Sequence, residues 1–281
     1  GTQEGLSRMQ LQTGKVRTYS LGRYDSHRIS CLLVTRKGTV YAGALRGFAV
    51  YDERHDTLRM LKDRINVSFI LEDAANDVLI GTVDKGFYRY RPETRQFIHY
   101  PTIAGQNTIR SICQAPDGTV YLGSNNGLCK AQFDGQGRLE RSEMLFQSEA
   151  IYGLKWDNDR RHLLVGLRNG VCIFKEGGER PEYILRTKVR SFYTDSSEMT
   201  WIATAGDGLY IENALVNRFT TIHKGRRTNA VLADADTNLW SAFETGLDFN
   251  GTENYERKHI FNLKQSKSTG RVYVCVWDDG L

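Results

Sequence analysis

One short phrase recurs eight times along this 281-residue chain: an apolar pair, a small residue, a short step to a glycine, then an apolar residue. Its copies run from Gly1 to Leu6, from Val40-Tyr41-Ala42-Gly43 to Gly47-Phe48, from Val78-Leu79-Ile80-Gly81 to Gly86-Phe87, and from Val120-Tyr121-Leu122-Gly123 to Gly127-Leu128. Four more follow: Leu163-Leu164-Val165-Gly166 to Gly170-Val171, Trp201-Ile202-Ala203 to Gly208-Leu209, Trp240-Ser241-Ala242 to Gly246-Leu247, and Val272-Tyr273-Val274-Cys275 to Gly280-Leu281. The small residues stand at 1, 43, 81, 123, 166, 203, 242 and 275, so successive copies lie 33 to 43 positions apart. A strand-like unit with a period of about 40 residues specifies a repeat architecture, in which each unit buries its faces against its neighbours.

Every unit has the same internal order. An apolar run such as Ile109-Arg110-Ser111-Ile112-Cys113 reaches a turn, here Pro116-Asp117-Gly118, and a second strand runs from Thr119 to Gly123. The tight turn Ser124-Asn125-Asn126-Gly127 leads to a third strand, Leu128 to Phe133, and a fourth run such as Gln96 to Tyr100 closes most units. Asn-Gly and Asp-Gly steps supply positive φ at low cost, so they punctuate antiparallel hairpins. Four short antiparallel strands per unit describe a propeller blade. No window carries apolar residues at helical spacing without a Gly, Pro or turn cluster breaking it, so the chain reads as all-β.

The two ends complement each other. Residues 1 to about 20 read as the outer strands of a blade, and residues from about 265 to 281 as the inner strands of one. Six whole units and two such halves make a seven-bladed β-propeller whose last blade is closed by both termini, which removes the unpaired sheet edges that invite aggregation. The competing reading is an open arc cut from a longer array. Starting and stopping mid-unit also suggests that residues 1–281, one propeller domain, belong to a longer protein.

Composition narrows the function classes. With 40% hydrophobic and 25% charged residues and no Pro- or Ser-rich divider, the chain suits one large β domain. It has no run of about 18 apolar residues to span a membrane. The net charge of +5 is modest and its basic residues are scattered, the densest group being Lys224-Gly225-Arg226-Arg227, so no nucleic-acid surface is expected. The five cysteines, Cys31, Cys113, Cys129, Cys172 and Cys275, fall inside strands and form no Cys-x-x-Cys pair, the pattern of buried thiols and not of a metal site. Cys129 and Cys172 occupy equivalent places in neighbouring units, but sequence does not supply the Cα separation that a disulfide needs. No His-Glu-x-x-His, P-loop or Gly-x-Ser-x-Gly motif occurs, and His27, His55, His99, His162, His223 and His259 are dispersed one per region. No catalytic residue, cofactor or metal is expected.

The repeat itself resembles the two-component regulator propeller repeat: apolar-x-Ser-apolar, then Asp-x-x-Gly, then a Trp or Tyr strand into Gly-Thr and Gly-Leu. It is carried by Ile109-Arg110-Ser111-Ile112 with Asp117-Gly118 and Gly123, by Val189-Arg190-Ser191-Phe192 with Trp201 and Gly208-Leu209, by Asp234 with Trp240 and Gly246-Leu247, and by Gly1-Thr2 with Gly5-Leu6. Ala203, Ala242 and Cys275 replace the usual Gly, and Gly153 replaces the first-strand Ser, which puts the register of those units in question. The resemblance implies the periplasmic sensor region of a hybrid two-component system in a carbohydrate-degrading bacterium. Such a region has a second propeller or an Ig-like domain as neighbour, and a histidine kinase elsewhere in the full protein.

In such a fold the loops entering the first strand of each blade gather on one face with the turns between second and third strands. Arg28, Arg110, Tyr152, Arg190, Asn229 and Arg227 occupy these entries. Guanidinium forks, a phenol ring and an amide suit an anionic or hydroxyl-rich oligosaccharide. Alternatively they satisfy loop carbonyls or face a neighbouring domain. The turn set Arg46, Asp84-Lys85, Asn125-Asn126, Arg168-Asn169, Asp207, Glu244 and Asp278-Asp279 is weaker, since any hairpin needs polar turns. The leading expectation is a ligand-sensing propeller binding an oligosaccharide or other small ligand. The rivals are a protein-contact ring, docking another domain or a second copy as a homodimer, and a propeller lyase.

Overall fold

The computed structural model describes residues 5–10, 14–21, 28–147, 149–158, 161–175, 181–195, 199–213, 218–222, 225–234, 238–250, 252–254, 260–266 and 269–276. The strands in order are β1 (Leu6–Met9), β2 (Val16–Tyr19), β3 (Ile29–Val34), β4 (Val40–Ala44), β5 (Gly47–Asp52), β6 (Thr57–Asp63), β7 (Val67–Glu72), β8 (Val78–Thr82), β9 (Phe87–Arg91) and β10 (Gln96–Tyr100). They continue as β11 (Ile109–Gln114), β12 (Val120–Ser124), β13 (Gly127–Phe133), β14 (Leu139–Gln147), β15 (Ile151–Asp157), β16 (His162–Leu167), β17 (Val171–Lys175) and β18 (Glu182–Leu185). The remainder are β19 (Val189–Thr194), β20 (Thr200–Thr204), β21 (Leu209–Asn213), β22 (Arg218–Ile222), β23 (Thr228–Ala233), β24 (Leu239–Phe243), β25 (Gly246–Phe249), β26 (Thr252–Asn254), β27 (Ile260–Gln265) and β28 (Val272–Val276). They form seven four-stranded sheets, and no helix occurs among the described residues. The chain is an all-β, seven-bladed β-propeller.

The chain divides into two compact units, Gly1–Val67 with Phe192–Leu281, and Ser68–Ser191. The first unit holds the sheet that joins the ends of the chain, ordered β2-β1-β28-β27. Ser7 pairs with Val274 and Arg8 with Tyr273, so β1 covers an edge of β28 that would otherwise stand open. The inner pair of this sheet starts at Ile260, earlier than the position near 265 expected from sequence, because the apolar run 260–263 already pairs with 274–276. β27 packs against β23 and β3 in the same unit. In the second unit β11 packs against β8 and β15.

The recurrent phrase is the second strand of each sheet. β4, β8, β12, β16 and β20 are buried at every position, as strands covered on both faces must be. The small residue is required by close approach: a Cβ on Gly123 would collide with the Ser111 hydroxyl and lie 2.6 Å from Cγ2 of Ile151 in the adjacent sheet. Three of the units that depart from the repeat keep its register. Ala242 lies opposite Ala230, Cys275 opposite Asn262 and Gly166 opposite Gly153, as Gly123 lies opposite Ser111.

The aspartates of the first turn act as local caps. Asp234 accepts the backbone N–H of Asn238 at 2.9 Å and the Trp240 indole N–H at 3.0 Å. Asp195 does the same with Met199 at 3.0 Å and Trp201 at 2.8 Å. Where the tryptophan position holds Leu79, Arg89 of β9 reaches Asp73 instead, at 2.7 Å, and Asp77 at 3.2 Å. All five cysteines are buried free thiols. Burial pushes the Cys31 and Cys113 thiols up to about 12, and those of Cys129 and Cys172 up to about 11.

Candidate functional site

The first strands share a defect at one position. The ladder slips between Ile29 and Cys31, between Ile109 and Ser111, between Ile151 and Gly153, and between Thr228 and Ala230. The skipped residues are Ser30, Arg110, Tyr152 and Asn229. A bulge leaves its extra residue unpaired and re-aims the side chain, which is why bulges mark places where a sheet presents groups outward.

What each bulge does depends on the side chain it carries. Ser30 donates to the Val67 carbonyl at 2.5 Å, with the Gly43 carbonyl 3.0 Å from the same hydroxyl, and the Asn229 amide donates to the Ile260 carbonyl at 2.8 Å. These short side chains fasten one sheet to the next. At the equivalent place in β7, Ser68 donates to the Ile109 carbonyl. In β11 and β15 the position carries Arg110 and Tyr152, and in β11 the neighbouring Ser111 takes over the fastening role, donating to the Ile151 carbonyl at 3.4 Å. Arg110 is thereby released from that task.

In the second unit these two side chains meet. The Arg110 guanidinium lies 5.6 Å from the centre of the Tyr152 ring, a cation–π arrangement, and its Nε–H donates to Oδ1 of Asn125 in the turn after β12. The equivalent turn after β16 supplies Arg168, and the Tyr152 phenol first, and the nearby Glu149 charge last, hold its guanidinium above its ordinary pKa. Glu149 accepts the backbone N–H and the amide of Asn169, each at 3.1 Å. One residue into β19, at the position matching Arg110 and Tyr152, stands Arg190; its Nε is buried with no hydrogen-bond partner among the described residues.

The six residues anticipated from sequence therefore separate. Arg110, Tyr152 and Arg190 lie in the second unit, and the first two are in contact. Arg28, Arg227 and Asn229 lie in the first. Arg227 is bound to Glu244 at 2.5 Å and Asn229 fastens β27. Arg28 is half-buried just before β3, where its carbonyl accepts the Leu45 N–H at 3.0 Å. Asn125 and Arg168 matter more than polar turns in general, and their signal was in the spacing: each follows the small residue of the phrase by two positions, Gly123 and Gly166, opposite the bulge. Glu149 has no such signal. Asp278-Asp279 of the turn set lie outside the described residues.

A concavity sits at the other end of these strands. A cavity of about 650 Å³ is lined by Ala115, Pro116, Asp117, Trp156, Asn158 and Arg161. Between β7 and β11 the corresponding gap is bridged, because Gln114 accepts the Ala74 N–H at 2.8 Å. Trp156 takes the place of Gln114 in β15 and stacks on Tyr121 instead, with ring centres 5.8 Å apart. Among the described residues no group of three or more His, Cys, Asp or Glu side chains is placed to hold a metal. His162 is buried 3.7 Å from Asp157, and His99 stacks on Tyr88.

Residues 104–126, which include Arg110, Ser111 and Asn125, match the model of the two component regulator propeller family. Among solved structures, a streptogramin B lyase superposes with a TM-score of 0.69 at 11% identity, covering 88% of this chain and 90% of that one. Virginiamycin B lyase from Staphylococcus aureus gives 0.66 at 14% identity, covering 85% of each. The extracellular domain of a hybrid two component system from B. thetaiotaomicron gives 0.46 at 16% identity; it covers 97% of this chain, which spans about half, 49%, of that one. At these identities the likeness is one of fold. No curated protein matches the sequence.

Proposed function

We propose that this chain is an extracytoplasmic, periplasmic ligand-sensing propeller of a two-component regulator, which binds an oligosaccharide and passes the signal to a histidine kinase elsewhere in the protein. The observation that carries the reading is the Arg110–Tyr152–Arg168 array: it begins in the segment that matches the two component regulator propeller model, and it uses two bulges whose side chains are not spent on fastening sheets. A sugar offers this array hydroxyl acceptors for guanidinium N–H groups and a C–H face for the phenol ring, with Asn125 and Asn169 supplying amides beside it. A ligand bound there shifts the balance between arrangements of this domain and its neighbours, a second propeller, an Ig-like domain or a second copy, provided that it binds one arrangement more tightly.

Calorimetric titration of the 281-residue chain with oligosaccharides from several plant and host polysaccharides tests the reading. Saturable heats for one glycan family, lost in Tyr152→Ala, are expected. Flat titrations across the whole panel would remove it. Chromatography of the same mixtures distinguishes the lyase alternative, which the fold likeness keeps in view: unchanged glycans are expected after prolonged incubation, and new unsaturated products would favour the lyase.

A further inference from the structure

We infer that the ligand of the Arg110–Tyr152 array carries a negatively charged group, a carboxylate or sulfate on the sugar, and that Arg110, Arg168 and Arg190 are its counter-charges. The inference rests on the carbohydrate reading above and narrows it.

The argument is one of unspent charge. Several guanidinium groups elsewhere in the chain are answered by carboxylates. Arg227 is met by Glu244 at 2.5 Å, Arg89 by Asp73 at 2.7 Å and Asp77 at 3.2 Å, and Arg8 and Arg17 by Asp56. In the array Arg110 has neutral partners: it gives its Nε–H to an amide oxygen and its face to the phenol ring with which Arg168 also interacts. Among the described residues Arg110, Arg168 and Arg190 form no ion pair, and Glu149, whose charge acts on Arg168 from beyond that distance, accepts from Asn169 with both oxygens. Neutral partners fix the position of a guanidinium without cancelling its charge. Arg110 keeps its Nη fork for a bidentate acceptor, the geometry that suits a carboxylate or sulfate oxygen pair. The partnerless buried Nε of Arg190 is a donor lacking an acceptor at the matching position of the next sheet.

Calorimetry with matched pairs tests this on the whole chain: oligogalacturonate against neutral galacto-oligosaccharide of equal length, and 6-sulfated N-acetyllactosamine against N-acetyllactosamine, with sodium acetate and sodium sulfate as free-anion arms. An acidic member is expected to bind about tenfold or more tightly than its neutral partner, with affinity falling as salt rises, and the free ions alone are expected to give no saturable heat. Arg110→Gln, checked for an unchanged melting temperature, is expected to weaken the acidic sugar about tenfold more than its neutral partner. Neutral members binding as tightly as acidic ones, or acidic affinity indifferent to salt and to Arg110→Gln, would overturn the inference and leave the carbohydrate reading standing. Silence from every sugar would remove both, and saturable binding of the simple ions without the sugars would mark an anion site unrelated to glycans.

Discussion

Charge inside this fold is held by short, identifiable circuits. Asp73 is 1% exposed and Arg89 7%, so their ion pair is shielded from water on both sides. Burial pushes the Asp73 carboxyl above its ordinary value even though Arg89 pulls it down. Removing the cation strands that carboxylate, so Arg89→Met is expected to cost about 3–5 kcal/mol, read as a lowered urea midpoint at unchanged slope. A second circuit joins the chain ends to the first whole sheet. Asp56 accepts from Tyr51 at 2.5 Å and from Tyr19 at 2.7 Å, while Arg8 donates to the Tyr51 oxygen at 2.6 Å. The bonds from Tyr51 first and Tyr19 second hold the Asp56 carboxyl below its ordinary 3.8. A depressed carboxylate contributes stability at neutral pH that disappears as pH falls through its folded-state value. The melting temperature of the native chain should therefore exceed that of Asp56→Asn at neutral pH, with the gap closing below about pH 3.8; a gap that widened in acid would contradict the assignment.

At the scale of strands, one bulged position serves two purposes, and the residue type decides which. Ser30, Ser68 and Asn229 tie sheet to sheet, whereas Arg110 and Tyr152 project into a shared array. Asn229→Ala is expected to cost about 1–3 kcal/mol, because it leaves the Ile260 carbonyl without its donor, and to leave glycan binding unchanged. Loss of binding without loss of stability would return Asn229 to the ligand site. The strands themselves were legible in the sequence, since the turn chemistry and the buried second strand leave little freedom in their placement. The division of labour among Arg28, Arg110, Tyr152, Arg190, Asn229 and Arg227 was not. Sequence spacing puts all six at strand entries, but whether an arginine is spent depends on a partner such as Glu244, 17 positions from Arg227 and brought beside it only by the pairing of β23 with β24.

Across the whole molecule, the sheet β2-β1-β28-β27 makes the first and last segments interdependent. Deleting residues 1–20 would uncover the edge of β28 and remove the Arg8 and Tyr19 contacts to Asp56 and Tyr51. The truncated chain is expected to melt well below the intact one and to aggregate at concentrations where the intact chain stays dispersed, as seen by light scattering. The functional account makes a sharper demand, because it assigns the ligand to one end of the strands in the second unit and leaves the cavity beside Trp156 at their other end unused. Hydrogen exchange read by mass spectrometry, with and without the best-binding glycan, tests this directly. The account predicts new protection in peptides covering 107–111, 124–126, 149–153 and 167–169, with none at 115–117 or 156–158. Protection confined to those last two segments, or absent altogether at saturating ligand, would contradict it.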